Sequence, residues 1–409
     1  MRVPSHMKVL HVRDMQIHTV MLSLVKILPL SCLVFLGACV SAEEEAREAR
    51  RQLALSRLEH ALVQADSMRR YDSARAAQLL AAEEEFPAVT YSTFAIADRH
   101  QLDSVRKAFD YGKTSSPAYK AFVTMNRRVF SSIRVGDTIV VPDGIHDDML
   151  AYSVFPQRWF GADSIGKIVV ISNEFQAYAC YENGRQVRFA SCNTGTERKP
   201  TLPGRYAVNW KERLRISSLN DEWKLPFNVN FHLYAGNAFH QFYMPGRPAS
   251  HSCVRQFMDD AEWLYGWVEV GDIRNGRVQP LTGTPVIIVD MFDYTRKKYG
   301  PWVDLEGNRS GKLELPEDPM GMEEALIPIS QIPQSVRGSL PNYERYRTAE
   351  DTLRARGVIR EGVRLSPSIE YTRLRKEKEE RQRKLKEQQE KEKAREESAE
   401  SAPSDTPAE

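Results

Sequence analysis

The chain has 409 residues, 42% of them hydrophobic and 27% charged, with a formal net charge of +2. That length exceeds one ordinary domain, so two or more ordered parts with tails are expected. The hydrophobic share suits a globular core and is low for a polytopic membrane protein. A balance this near neutral offers no basic excess of the kind that argues for nucleic acid as a partner.

In chain order, Lys26 precedes the apolar run Ile27-Leu28-Pro29-Leu30-Ser31-Cys32-Leu33-Val34-Phe35-Leu36, and Gly37-Ala38-Cys39 follow. The run is too short to span a bilayer comfortably as a mature helix. It resembles a bacterial lipoprotein signal with Leu36-Gly37-Ala38-Cys39 as the lipobox. The resemblance implies cleavage before Cys39, lipid on that cysteine, and a membrane-anchored protein of the cell envelope facing the periplasm. An uncleaved anchor and an ordinary secretory signal are the alternatives. Residues 1–20 lack the pattern, which points to Met21 as the start.

Residues 43–85 are rich in Ala, Glu, Arg and Leu and lack Gly and Pro. Leu55, Leu58, Leu62 and Ala65 recur at three- and four-residue steps, the spacing of a helix with one narrow apolar stripe. The stripe meets Arg69 after two heptads, too short a seam for a firm coiled coil, so residues 39–85 are expected to be a helical spacer. Residues 86–143 form a small α/β unit, with helices expected over 98–110 and 119–130. Its close, residues 126–142, resembles the last part of a LysM-type wall-binding module. Glycan binding and a packing role for the catalytic domain both stay open.

Residues 150–295 carry β-type sequence. Lys167-Ile168-Val169-Val170-Ile171-Ser172 is an apolar, β-branched run, and Asn183-Gly184 is a two-residue hairpin signal inside residues 175–192. An uninterrupted register about that turn sets Cys180 opposite Val187 and Cys192 opposite Phe175. The two cysteines would then face opposite sides of the ribbon as small buried apolar residues, with no disulfide unless a bulge shifts the register. Alternation around Pro- and Gly-rich turns argues for antiparallel strands.

The chemistry concentrates between Phe239 and Arg255. This stretch holds His240, His251, Ser250, Ser252, Cys253 and Arg255, with a Pro245-Gly246 turn between the histidines. A thiol needs a base to become a thiolate near neutral pH. A chain that folds back at Pro245-Gly246 brings His240 towards Cys253. Residues 258–267 read as a helix with Asp259 and Asp260 in its first turn, so its positive end is expected to lower the Cys253 pKa. On a strand-like stretch His251 would lie side by side with Cys253, better placed to orient than to abstract a proton in line. A zinc site of His240, His251 and Cys253 is the alternative that ligand types allow, but no further Cys or His pair with ligand spacing is near. His232 lies outside this stretch and reads as a packing or surface residue.

Ser250-His251-Ser252-Cys253-Val254-Arg255 resembles the Ser-His-Gly-Cys-hydrophobic-Arg signature of the L,D-transpeptidase catalytic domain (YkuD-like). Upstream, Thr194-Gly195-Thr196 and Pro200-Thr201-Leu202-Pro203-Gly204-Arg205-Tyr206 resemble segments of the same domain, as does the closing strand Gly283-Thr284-Pro285-Val286-Ile287-Ile288-Val289. The resemblance covers about residues 165–291. It implies an α+β fold whose catalytic domain is a mainly antiparallel β-sandwich. It implies Cys253 as nucleophile, His240 as base and proton donor, and His251 in support. The backbone at Cys253 and Ser252 would stabilise the oxyanion. Arg255 would hold a substrate carboxylate, with Tyr243 and Arg247 as further loop contacts. The implied substrates are the peptide stems of peptidoglycan, attacked at the third stem residue with release of a terminal D-alanine. An amine acceptor makes a cross-linking transpeptidase, water a carboxypeptidase or endopeptidase, and a protein amine an anchoring enzyme. A lipid-anchored wall-binding protein with an inactive domain is the different-class alternative. No cofactor or metal is implied. The signature has Gly where this chain has Ser252, a residue that reaches glycine-like φ values only with strain.

Residues 296–370 contain scattered Pro and Gly and read as an irregular extension with one helix near 343–356. From 371 to about 397 nearly every residue is charged or Gln, a solvated helix with no stripe to bury, and the last residues are expected to be disordered.

Overall fold

The computed structural model describes residues 30–83, 86–296 and 299–400, with side chains described from residue 47 onward except those of residues 71, 79, 80, 82, 83 and 395–400. The lipoprotein signal, Cys39 as a lipid carrier and the Met21 start fall outside the side chains so described. No described helix is long and apolar enough to cross a membrane. The chain forms two compact units, residues 1–75 and 76–409. Most of helix α1 (Leu30–Glu83) makes up the first. It begins upstream of the expected residue 43, since Gly37 is the single helix breaker in between. Leu55, Leu58 and Leu62 lie exposed along it.

The second unit opens with β1 (Tyr91–Ala95), α2 (Arg99–Ala108), α3 (Pro117–Asn126) and β2 (Thr138–Pro142). β1 and β2 pair antiparallel with Tyr91 opposite Pro142, and the helices close a core of Leu102, Phe109, Phe122, Phe130 and Ile139. Local chemistry sets the helix ends. The Asp98 side chain accepts from the Gln101 N–H at 2.8 Å, and Ser116 caps α3 ahead of Pro117 at its first position. Arg127 takes the left-handed conformation and ends α3 before the expected residue 130.

The remaining strands are β3 (Ile168–Ser172), β4 (Ala177–Glu182), β5 (Arg185–Ser191), β6 (Gly204–Ala207), β7 (Trp210–Ile216), β8 (Lys224–His232), β9 (Asn237–Gln241) and β10 (Val254–Gln256). After them come α4 (Met258–Trp267), the two-residue strands β11 (Ile273–Arg274) and β12 (Arg277–Val278), β13 (Pro285–Ile288), α5 (Tyr343–Ala355) and α6 (Tyr371–Glu400). One sheet has the order β5-β4-β3-β13-β6 and the other β10-β9-β8-β7. Only β3–β13 and β9–β10 are parallel pairs among these ladders. The fold class is therefore α+β with mainly antiparallel sheets.

The two sheets share one core. Val169, Ile171, Tyr178, Val286 and Ile288 of the five-stranded sheet meet Val229, Phe231, Phe239 and Val254 of the other. The opposite face of the five-stranded sheet is also covered: Ile168, Val170, Ala179 and Ile287 pack with Phe155, Trp159 and Trp302. Burial on both faces explains why β3 reads as a continuous apolar run.

The hairpin at Asn183-Gly184 forms as expected, with both turn residues at positive φ. Its register does not run on uninterrupted. A bulge between Cys180 and Tyr181 sets Cys180 opposite Arg188, not Val187, and Cys192 bonds to Gln176 rather than sitting opposite Phe175. The extra residue rotates the second strand, so both cysteines enter the same inter-sheet core. Both remain free and buried. Four residues of strand, about 13 Å, separate Cys192 from the residue opposite Cys180, beyond disulfide reach.

Residues 296–370 are largely irregular yet built into the domain. Leu326, Ile327, Ile332, Tyr346, Ala349, Leu353, Ile359 and Leu365 belong to the inter-sheet core. The Arg205 N–H donates to the Glu323 carbonyl at 2.9 Å, tying this segment along β6.

Candidate active site

Parallel strands cannot be joined by a tight turn. The connection from β9 to its neighbour β10 is residues 242–253, the segment holding the signature residues. In the paired register Phe239 lies opposite Val254 and His240 opposite Arg255. Phe239 and Val254 are fully buried in the inter-sheet core. Alternation therefore turns His240 and Arg255 to the other face, and Cys253, two residues before Arg255, continues that face. All three line one cavity of about 400 Å³, together with His251, Phe242 and the 217–219 turn.

The crossover is braced from below. The Asn193 and Arg255 N–H groups each donate to the other's carbonyl at 3.0 Å. Asn193 Oδ1 accepts from the Gly246 N–H at 3.0 Å. The Ala249 and Ser250 N–H groups both donate to the Thr194 carbonyl, at 2.9 and 3.0 Å. Thr201 Oγ1 donates to the Ser252 carbonyl at 3.1 Å, and Ser250 Oγ donates to the Cys253 carbonyl at 2.5 Å. Gly195 has no room for a Cβ, which would fall 2.1 Å from the Lys199 carbonyl oxygen. The Thr194-Gly195 and Thr201 segments thus hold the 242–253 crossover, a role their sequence does not announce.

Cys253 is free and half-buried. Its Sγ donates to the Gly236 carbonyl at 3.8 Å. Burial pushes its pKa up, and the Ala238 N–H and the Arg255 cation pull only partly against that. This corrects the expectation that the following helix lowers it. β10 stands between Cys253 and α4, and no residue of α4 lines the cavity; a helix terminus acts only over about a turn.

His240 is buried, and its Nδ1 lies 3.0 Å from the Gln241 carbonyl. A carbonyl only accepts, so the neutral ring carries its proton on Nδ1 and leaves Nε2 with a bare lone pair. Burial, with the Arg255 cation adding to it, lowers the His240 pKa to about 4. The ring is therefore neutral at pH 7.

His251 lies in a bend, not on a strand, so it does not run side by side with Cys253. Ser252 has a positive φ, and this turn redirects the chain between them. The His251 Nε2 lies 3.3 Å from the Tyr371 hydroxyl, and its ring packs on Trp223 at 5.3 Å between centroids. Burial first, then Lys199 and Arg255, lower its pKa to about 4. Ser252 Oγ donates to Asn237 Oδ1 at 3.3 Å.

Arg255 sits over the Phe242 ring, 4.7 Å from its centroid, and its Nη1 donates to the Tyr243 carbonyl at 3.2 Å. Tyr243 and Arg247 do not line the Cys253 cavity. The Tyr243 ring is exposed and faces a larger groove of about 930 Å³ on the far side of Phe242, against α3, β5 and α4. Arg247 is exposed. His232 accepts from the Ala235 N–H on Nδ1 and packs against Tyr206 and Tyr346. Among the described residues no three His, Cys, Asp or Glu side chains are grouped to hold a metal ion.

Two parts of the cavity escape the sequence reading. One is the β7–β8 hairpin, whose tip supplies Ser217, Ser218, Leu219 and Trp223. Its signal was the Phe227, Val229, Phe231 alternation after an Asn220-Asp221 turn. The other is the C-terminal extension, which brings Pro333, Ser335 and Val336 to the rim.

Residues 166–288 match the YkuD family, the L,D-transpeptidase catalytic domain. No curated protein matches the chain. Among solved structures, an LD transpeptidase (LdtMt1) in complex with imipenem is 19% identical with a TM-score of 0.25, over 30% of this chain and 59% of that one. An L,D-transpeptidase from Stackebrandtia nassauensis is 16% identical with a TM-score of 0.28, over 47% of this chain and 78% of that one. One from Xylanimonas cellulosilytica is 22% identical with a TM-score of 0.29, over 50% of this chain and all of that one. The chain thus spans under two thirds of the length of the first of these. It carries a YkuD L,D-transpeptidase catalytic domain at residues 166–288.

Proposed function

We propose that the protein is a peptidoglycan L,D-transpeptidase that works through a cysteine acyl-enzyme. The observation that carries this reading is the shared cavity of Cys253, His240 and Arg255, with a neutral His240 whose Nε2 is free to accept a proton. Both partners start uncharged, so His240 takes the thiol proton as the sulfur attacks the carbonyl carbon of the third stem residue. Among the described residues no protein acceptor takes the Cys253 N–H, which leaves it for the oxyanion. Collapse breaks the C–N bond, the protonated His240 hands its proton to the departing D-alanine amine, and a thioester remains. An acceptor amine then attacks the thioester, His240 takes its proton, and the sulfur leaves as the restored thiol. His251 supports the site and Arg255 holds a substrate carboxylate, with Tyr243 and Arg247 as outer contacts.

Cross-linking is the favoured outcome. Trimming by water and attachment to a protein amine use the same thioester, and residues 86–143 either bind wall glycan or brace the catalytic domain. The lipobox Leu36-Gly37-Ala38-Cys39 supports a lipid-anchored protein of the cell envelope facing the periplasm. The test is product analysis of wild type and Cys253→Ala on purified disaccharide-tetrapeptide, with and without an amine acceptor. Wild type should release D-alanine, form the cross-linked dimer and gain the mass of a carbapenem adduct, while the variant does none of these. Equal products from both proteins, or no adduct on wild type, would overturn the reading. Intact mass of the membrane-extracted protein tests the anchor: residues 21–38 retained without acyl groups would exclude lipid on Cys39.

A further inference from the structure

We propose that the first turn of α6 is a latch on the catalytic cavity and that Tyr371 is a positioning residue for His251. This rests on the cysteine acyl-transfer reading given above. α6 has no apolar face to bury, and beyond its first turns its described side chains are exposed. Its start is different. The Tyr371 hydroxyl lies 3.3 Å from His251 Nε2, the one hydrogen bond to that ring among the described residues. The rings of Trp223, His251 and Tyr371 form a closed set, with centroid separations of 5.3, 5.5 and 5.9 Å. They come from three places: the β7–β8 tip, the catalytic bend and α6.

The neighbours of Tyr371 fasten the same tip. The Thr372 N–H donates to the Leu219 carbonyl at 3.1 Å, and Thr372 Oγ1 accepts from the Asp221 N–H at 2.8 Å. Arg375 pairs with Asp221 and, at 2.9 Å, with Glu222. The tip residues Ser217, Leu219 and Trp223 line the cavity. One turn of helix thus sets both a wall of the cavity and the His251 ring that lines it with Cys253. A histidine in a bend, next to a residue of positive φ, has two free side-chain torsions and little local restraint. The hydroxyl and the two rings supply it.

The test is a double-mutant cycle on the full chain, with steady-state kinetics on disaccharide-tetrapeptide and denaturant unfolding of each protein. Tyr371→Phe keeps the rings and loses the hydroxyl, so kcat should fall about fivefold, the worth of one hydrogen bond. KM should stay unchanged, and the unfolding midpoint should fall by no more than that same single bond is worth. Tyr371→Ala should fall further. In a His251→Ala background Tyr371→Phe should cost nothing, because the group it positions is gone. If Tyr371→Phe matches wild type, or costs the same in both backgrounds, the positioning role is wrong. If wild type and Cys253→Ala are equally inactive, the transpeptidase reading itself has failed instead.

Discussion

Ser252 is where the chain pays for its local geometry. Its positive φ lies in the region that glycine enters freely. Holding a serine there costs on the order of 1–2 kcal/mol. Ser252→Gly should therefore raise stability by about 1 kcal/mol in denaturant unfolding, offset in part by a freer unfolded chain; a loss of stability would show that the Asn237 contact outweighs the strain. His240 makes a second residue-scale prediction. With its pKa near 4, the ring stays a competent base well into acid. The acid limb of the pH–rate profile for Cys253 acylation should centre near 4, where an ordinary imidazole would place it near about 6.5. A limb at the ordinary imidazole value would mean that His240 is not buried neutral. Of the residues proposed to carry this chemistry, the cysteine and both histidines were visible in the sequence as a cluster. The direction of the thiol's pKa was not, because it depends on β10 intervening before α4 and on the walls of the cavity.

At the scale of elements, periodicity found what local patterns encode: α2, α3, α4, the β3 run, the Asn183-Gly184 hairpin and α5. It missed β7, whose solvent-facing positions carry charge, and the bulge at Cys180, because register is a property of two strands. α5 gives the sharpest test. Its low apolar content hid its role, yet Leu353 is 3% exposed inside the inter-sheet core. Leu353→Ala should cost about 2–5 kcal/mol of unfolding free energy, the range for a large-to-small core change. A cost no larger than that of an ordinary surface substitution, about 0.5 kcal/mol, would mean that residues 324–370 pack on the sandwich without belonging to its cooperative unit.

For the whole molecule, buried ionisable groups set the pH dependence of stability. His232, His240 and His251 have pKa values near 4 in the fold and near about 6.5 when unfolded. Between those values the unfolded chain binds more protons, so stability is complete above about 6.5 and falls as pH drops towards the folded-state values. Asp290, raised to about 6 by burial, has the opposite sign, as do Glu174 and Asp260, also raised by burial; the three histidines, with ordinary values of about 6.5, dominate between pH 7 and pH 5. The denaturant midpoint should drop between pH 7 and pH 5, and His232→Phe should flatten the drop; an unchanged slope in that variant would remove His232 from the account. Residue types and spacing were enough to single out one stretch that holds a thiol between histidines and an arginine, and to give the helix or strand character of α2, α3, α4, α5 and β3. Those features reside in a few neighbouring residues. Only the tertiary structure decided that Asn193, Thr194 and Thr201 brace the 242–253 crossover, that both buried cysteines share one core, and that Tyr371 reaches His251 from 120 residues away. Each of these is a long-range pairing, set by register, crossover and packing, to which no local pattern of residues responds.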